Sequence, residues 1–309
     1  MQPSFAARLP LSRFQLDRDA AARERPQLFE ELWADPATRI LPIYQGAALL
    51  ASPTSLALLP VSAAPDGDLR VYLGRSISPT SPEPVGTPIV AVEIEDATQL
   101  AEAEWGSLRT IGAALDDRDA GMLTEALAIF NWHASHRFSP RTGEPTIVEK
   151  GGWVRRDPVA NTEIFPRTDP AVIVGVLDAD DRLLLGSNAL WESNRYSLLA
   201  GFVEPGESFE AAIVREILEE SGIPVVDPVY LGSQPWPFPA SIMVGFTARV
   251  DPAFTGDAVP DGTEIMDLRW FSREELAASL DEIRLPGRAS IARAIVEEWY
   301  GAEIDDGQA

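Results

Sequence analysis

Apolar residues along this chain fall into two textures. From Arg39 to Ile94 they come in short runs (Ile40 to Tyr44, Leu56 to Leu59, Val71 to Leu73, Ile89 to Ile94) separated by Gly, Pro, Ser and Asp. Runs this short between turn residues predict strands, here a small antiparallel β domain. From Gly121 to His136 the apolar positions Met122, Ala126, Ile129 and Phe130, with His133, recur at threes and fours, which predicts a helix. Strands are expected again at Ala171 to Leu177, Leu183 to Leu185, Tyr196 to Ala200, Ile242 to Val250 and Met266 to Phe271. Ser272 with Glu275 reads as a capping box opening a helix to Leu280. A short helix is expected near Gln27 to Ala34, a last one from about Ala289 to Tyr300, and a frayed acidic tail after Gly301. Residues 1–120, 121–168 and 169–309 then read as a β-rich domain, a linking segment and a second domain.

The stretch Gly201 to Ile223, GFVEPGESFEAAIVREILEESGI, departs from ordinary helix patterning. At about 100° per residue, Glu216 and Glu220 share the side of Phe209, Ala212 and Ile213, with Glu219 at its edge. A solvated charged face would place them opposite. Carboxylates at this spacing repel, and burying them without a partner is costly. A divalent cation resolves both problems, and hard oxygen ligands suit Mg²⁺ or Mn²⁺ with positions left for substrate phosphates. Gly201 and Gly206 around Pro205 read as a tight loop into the helix, and Gly222 as its end. The competing interpretation is an acidic surface helix.

Composition narrows the class. At 309 residues the chain holds two domains, and 45% hydrophobic content fits a soluble globular protein. No run of 18 apolar residues exists, so no membrane span is expected. The N-terminus mixes acids among its basic residues and lacks the apolar core of a secretory signal. With no Cys, a disulfide framework is excluded and a cytoplasmic place of work is expected. A net charge of −23 argues against loose binding to nucleic acid, although it leaves room for a local basic pocket. The first hundred residues carry no catalytic constellation and read as a packing or dimerisation domain, so a homodimer is the expected assembly.

Three further patterns carry chemical meaning. His133 and His136, the only histidines, stand three apart with no third ligand nearby and read as a packed helix end. Ser139, Thr142, Asp157 and Ala160 reproduce a two-knuckle spacing at which cysteines would make a zinc ribbon. None is a thiolate, so no zinc is expected, and Trp153, Val154 and Phe165 are the residues expected to hold that segment by packing. Finally, Ser233-Gln-Pro-Trp-Pro-Phe-Pro-Ala-Ser241 packs three prolines and two aromatics into nine residues. Such a run is not a central strand, and its rings would be held rigidly, as a wall for a flat base or as a cover for the core.

The acidic stretch, with Gly201, Glu207, Arg215, Glu216, Glu219, Glu220 and Gly222 at their spacing, resembles the complete Nudix box. The layout of the chain, the Phe138 knuckle, the run Phe165 to Ile173 and the Pro-aromatic array resemble the NADH pyrophosphatase branch of that family. The resemblance implies an α/β (α+β) fold, an α/β/α sandwich with a mixed sheet preceded by a β-rich domain. It also implies metal-dependent hydrolysis of the pyrophosphate of NADH or NAD to nicotinamide mononucleotide and AMP. Carried over by match, Ala200 (through its carbonyl), Glu216, Glu220 and Glu264 would hold metal, and Glu219 or Glu220 would be the base. Gln234, Pro235, Trp236, Pro237, Phe238, Pro239, Ala240 and Ser241 would contact substrate, as would Phe202, Ala292, Arg109 and Phe165. The substrate expected is a small dinucleotide, with NAD-capped RNA, ADP-ribose or another nucleotide, or an inactive binding module, as the alternatives.

Overall fold

In the computed structural model, which describes residues 4–100, 103–192 and 194–307, the chain packs as two units. One comprises Leu11–Thr168 with Trp236–Ala240; the other comprises Met1–Pro10, Asp169–Pro235 and Ser241–Ala309.

The first unit contains β1 (Leu16–Asp17), α1 (Leu28–Ala34), β2 (Arg39–Tyr44), β3 (Ala47–Ser52), β4 (Ser55–Leu56), β5 (Leu59–Pro60), β6 (Leu69–Ser76), β7 (Pro88–Ile94) and β8 (Trp105–Ser107). After these come α2 (Leu108–Ile111), α3 (Asp117–Ser135) and a small sheet of β9 (Ile147–Glu149), β10 (Val154–Asp157) and β11 (Thr162–Ile164). The main sheet runs β1-β6-β7-β2-β3-β4, with β5 beside β2 and β8 beside β3. It is mixed, not antiparallel as the short runs suggested, because β2 and β7 pair in parallel from Arg39↔Ile89 to Tyr44↔Ile94. The physical reason is burial on both faces. Leu41, Ile43, Ile89 and Ala91 pack with α3, while Ile40, Val90, Val92 and Ile94 pack on the other side with Leu28 and Leu32 of α1. Strands covered on both faces read as unbroken apolar runs, the signature of a parallel pair.

The second unit is a sheet between helices. Its strands are β12 (Asp169–Leu177), β13 (Leu183–Asn188), β14 (Leu199–Phe202), β15 (Val225–Trp236), β16 (Ser241–Val250) and β17 (Ile265–Phe271), ordered β15-β16-β12-β13-β17 with β14 also on β12. β12 and β16 are parallel. The helices are α4 (Phe209–Ser221), α5 (Arg273–Ser279) and α6 (Ile291–Tyr300). Val172, Val174 and Val176 of β12 meet Ala212, Ile213 and Ile217 of α4. On the opposite face Ile173 meets Ile291, Ile295 and Val296 of α6. The Ser272 capping box is present, with Ser272 Oγ accepting from Glu275 N at 3.1 Å and Glu275 Oε2 from Ser272 N at 2.8 Å.

Three expectations change. β14 begins at Leu199, because Ser197 makes only an isolated bridge to Gly186. β15 runs twelve residues through two prolines, which its place at the sheet edge allows. The tail is held through Asp306: Ile304 is buried and Arg293 donates to Asp306 at 2.6 Å. No helix among the described residues is long and apolar enough to cross a membrane.

Candidate active site

α4 is fixed at both ends before its carboxylates are placed. Ser208 caps the start by accepting from Ala211 N at 3.2 Å, and Gly222, at φ 69°, closes the end with its N–H on Leu218 O. Only a residue that tolerates the left-handed region can do the latter. Arg215 is then a hub. It grips Glu207 with two parallel bonds of 2.8 Å and reaches Glu216 at 2.8 Å, Glu219 at 3.1 Å and the Phe202 carbonyl at 3.0 Å. The fork on Glu207, aided by the Glu204 N–H, lowers the Glu207 pKa to about 2. One cation therefore ties the loop after β14 to the helix and orients two of the box carboxylates.

Glu220 is different. Its side chain is 5% exposed, the Ala200 backbone hydrogen-bonds to it, and Oε2 has no partner among the described residues. Burial first, then the charges of Glu264, Glu216 and Asp261, push its pKa up to about 8. Glu216, half-buried, is also raised, chiefly by burial. Glu264 lies just before β17, and its carbonyl accepts from Ala189 N at 2.8 Å. Asp261, which the box resemblance does not mark, shapes the turn before Glu264 by accepting from Glu264 N at 3.0 Å, Ile265 N at 2.7 Å and the Thr263 hydroxyl. The spacing Asp-Gly-Thr-Glu was its signal, since Asp readily bonds backbone a few residues on.

Glu216, Glu220 and Glu264, with the Ala200 backbone, thus converge as negative potential around an unsatisfied buried oxygen. Among the described residues no three His, Cys, Asp or Glu side chains form a ready-made ion cage. The donor set still fits a hard divalent cation, which binds through one or two carboxylates and keeps other positions for water and substrate oxygens. Glu219, exposed and tethered by Arg215, stands at the margin.

The remaining predicted contacts divide between the units. In the second unit, Gln234 is fully buried and donates to Ala289 O at 2.9 Å, which ties β15 to the start of α6. Ala292 sits in the first turn of α6 with its methyl in the core, Ser241 opens β16, and Phe202 is 58% exposed. In the first unit, Asn131 of α3 clamps the loop by donating to Pro237 O at 2.9 Å and Pro239 O at 3.1 Å. Nothing local in the sequence marked Asn131. Trp236 and Phe238 are half-buried on that unit's core, edge to face at 4.9 Å. Arg109 lies over both rings, 3.8 Å from the Phe238 centroid and 5.3 Å from that of Trp236. The rings are therefore a supported, cation-capped platform and not freely projecting. Phe165 follows β11 and is 62% exposed.

Residues 166–294 match the NUDIX domain model, and residues 37–132 match that of the NADH pyrophosphatase-like rudimentary NUDIX domain. The chain is 39% identical over 306 residues to the NAD-capped RNA hydrolase NudC of Mycobacterium bovis (strain BCG / Pasteur 1173P2), spanning 94% of this chain and 92% of that protein. The chain belongs to the NADH pyrophosphatase branch of the Nudix hydrolases. It is also 37% identical over 219 residues to NAD-capped RNA hydrolase NudC of Stutzerimonas stutzeri, covering 71% of this chain and 76% of the relative. To the NAD-capped RNA hydrolase NUDT12 of Macaca fascicularis it is 36% identical over 200 residues, 60% of this chain and 42% of that one. Membership explains the mixed sheet of the first unit: its parallel β2/β7 pair covered by a helix echoes β12/β16 in the Nudix domain proper.

The cysteine-less knuckles of this Nudix chain are built on Asp157. Its buried carboxylate accepts from Ser139 Oγ at 2.6 Å and Thr142 Oγ1 at 2.8 Å, and from Val159 N and Ala160 N at 2.8 and 2.9 Å. Those bonds, Ser139 foremost, pull its pKa down to about 2. The segment was expected to hold by packing, yet Phe165 is largely exposed and hydrogen bonds converging on one carboxylate join the knuckles instead. Packing contributes through Val154, which is buried, and Trp153, whose indole donates to Tyr72 O at 2.8 Å. His133, buried between Gly152 O (2.8 Å) and Arg155 (2.7 Å), has its pKa lowered to about 4 by burial and closes the helix end against β10.

Proposed function

We propose that this chain hydrolyses the pyrophosphate bond of NADH or NAD to nicotinamide mononucleotide and AMP, and breaks the same bond where NAD caps an RNA. The observation that carries it is the partnerless Oε2 of buried Glu220 within an intact box, a group that is stable as an anion only with a cation beside it. A divalent cation held there by Glu216, Glu220, Glu264 and the Ala200 carbonyl, Mg²⁺ or Mn²⁺ in this proposal, would polarise a phosphoryl oxygen and acidify the attacking water. The chain's own residues do the rest. Arg215 holds Glu216 and Glu219 in place; Glu219 or Glu220 takes the proton as the water oxygen bonds to phosphorus and the bridging oxygen leaves with the other phosphate. The Trp236 to Phe238 platform under Arg109 offers a flat face to a base.

The capped-RNA arm is favoured by the relatives, whose names state that activity. Pairing of two copies through the β-rich unit and a cytoplasmic place of work belong to the same proposal; a solution mass equal to one 33.6 kDa chain would remove the first, and cell fractionation tests the second. Turnover of NADH, NAD and ADP-ribose measured side by side tests the substrate assignment. A preference for ADP-ribose over both dinucleotides would overturn it.

A further inference from the structure

We propose that the loop after β13, with Trp191 and Arg195 at its centre, is a subsite for single-stranded RNA continuing from the NAD cap. The inference rests on the capped-RNA arm above and adds the residues that would distinguish such a substrate from the free dinucleotide. The loop is joined through the backbone to Glu264, one of the proposed metal holders, since Ala189 N donates to Glu264 O at 2.8 Å immediately after Asn188 has paired with Ile265.

Described residues of the loop are tied by their own backbone bonds. Asn188 Oδ1 accepts from Leu190 N at 2.9 Å, Asn188 O from Trp191 N at 3.0 Å, and Glu192 O from Arg195 N at 2.9 Å. Asn194 O accepts from Arg284 N at 2.8 Å, and Tyr196 N returns the bond to Arg284 O at 3.0 Å. On this frame Leu190 is 92% exposed and Trp191 38% exposed, while the guanidinium of Arg195 lies 5.2 Å from the Trp191 ring. Arg284 stands beside it, paired with Glu192 at 3.1 Å, and both those side chains are more than half exposed.

Arg195 against Trp191, with Arg284 beside it, brings two guanidinium groups together in a chain where acids outnumber bases 48 to 25. An exposed indole with a cation against it, flanked by a second guanidinium, matches what an unpaired nucleotide needs: a π face for the base and positive charge for the phosphate. A free dinucleotide has two bases, for which the proposed contacts lie outside this loop. A third nucleotide exists only when the dinucleotide caps an RNA chain.

The test compares free NAD with a short NAD-capped RNA for the wild type, Trp191→Ala, Trp191→Phe and Arg195→Ala. The expected result is that Trp191→Ala and Arg195→Ala raise KM for capped RNA by about tenfold with kcat held. KM and kcat for free NAD stay within about twofold, since the loop leaves the dinucleotide's own contacts alone. Trp191→Phe keeps most of the affinity, and Arg195→Ala lowers the salt slope of RNA binding by about one. Equal losses on both substrates would reduce the loop to a support for Glu264 and overturn the inference, as would unchanged kinetics on both. Unchanged kinetics with a lower oligomeric mass in Trp191→Ala would assign the face to a second copy and also overturn it. If the wild type cleaves free NAD and leaves capped RNA intact, the inference falls while NAD hydrolysis stands; if it cleaves neither, the reading beneath it falls as well.

Discussion

Gly201 and Glu216 occupy the same small volume: a Cβ built on Gly201 would lie 1.9 Å from Glu216 Cδ and 2.2 Å from both carboxylate oxygens. The glycine that opens the box is there so that the backbone of β14 can be approached by a carboxylate from the facing helix. Because the obstructing atoms are the far end of a flexible side chain, Gly201→Ala should fold with a nearly unchanged melting temperature while Glu216 is displaced. Turnover should fall by about 10²-fold, the scale at which an ångström of misplacement is felt. Wild-type turnover in this variant would mean that the position of Glu216 does not matter.

Glu220→Gln separates metal from fold. The folded pKa of Glu220, about 8, lies above the 4.5 of an ordinary glutamate, so without metal the native state holds a proton that the unfolded chain releases between those values. Native protein binds more protons there, hence stability falls as pH rises from about 4.5 to about 8. Glu220→Gln should remove much of that fall and leave the metal-free protein equally or more stable at pH 8, while turnover drops by orders of magnitude. Unfolding curves at pH 5 and pH 8 without divalent cation check it; a variant that is less stable at pH 8 and still active would contradict it.

Glu125 gives the same sign in the other unit. It is buried on α3, neither oxygen has a hydrogen-bond partner among the described residues, and Arg18 at 3.7 Å and Arg23 are the charges facing it. Burial raises its pKa to about 7 from 4.5. Stability should decline between those pH values, and Glu125→Gln should flatten the decline without altering turnover. A pH profile of stability identical to wild type would show that the carboxylate is not buried in solution.

The platform makes a claim about specificity. Trp236→Ala removes one of the two rings beneath Arg109, and a lost base stack weakens binding by roughly 1–3 kcal/mol. NAD and NADH should suffer that loss, whereas ADP-ribose, which lacks the second base, should lose far less. Equal losses measured by kcat/KM would make the platform a structural cover only.

The Asp157 hub works in the opposite pH direction from the buried glutamates. Its folded pKa, about 2, lies below the ordinary 3.8, so its contribution is present above pH 3.8 and is lost as pH falls through about 2. Asp157→Ala should lower the melting temperature by several degrees, and a zinc-selective chelator should leave the wild-type midpoint unmoved. A midpoint that falls on removing zinc alone would bring a metal back to the knuckles.

What was legible in the sequence was local. The α4 box, the Ser208 and Gly222 caps and the Ser272 capping box are patterns within one or two turns, and each predicts its own hydrogen bonds. The parallel pairing of β2 with β7 joins strands fifty residues apart, between Arg39 and Ile89, and no spacing within either strand announces a partner that distant. β15 was hidden because Pro228 and Pro235 break the strand pattern that an edge position tolerates. The Asp157 hub and the Asn131 clamp on Pro237 reach 18 and 106 residues along the chain, so both needed the fold before they could be seen. The box spacing also put Phe209 on the buried side, yet 40% of it stays exposed at the mouth of the helix against Phe246.

The most direct measurement is mass analysis of the products formed from NAD in ¹⁸O-labelled water with Mg²⁺ or Mn²⁺ supplied. Attack of water on phosphorus predicts nicotinamide mononucleotide and AMP in equal amounts, with a single heavy oxygen carried on one phosphate. Release of free nicotinamide with ADP-ribose, or intact NAD in the presence of either cation, would contradict the assignment of Glu216, Glu220 and Glu264 to pyrophosphate hydrolysis.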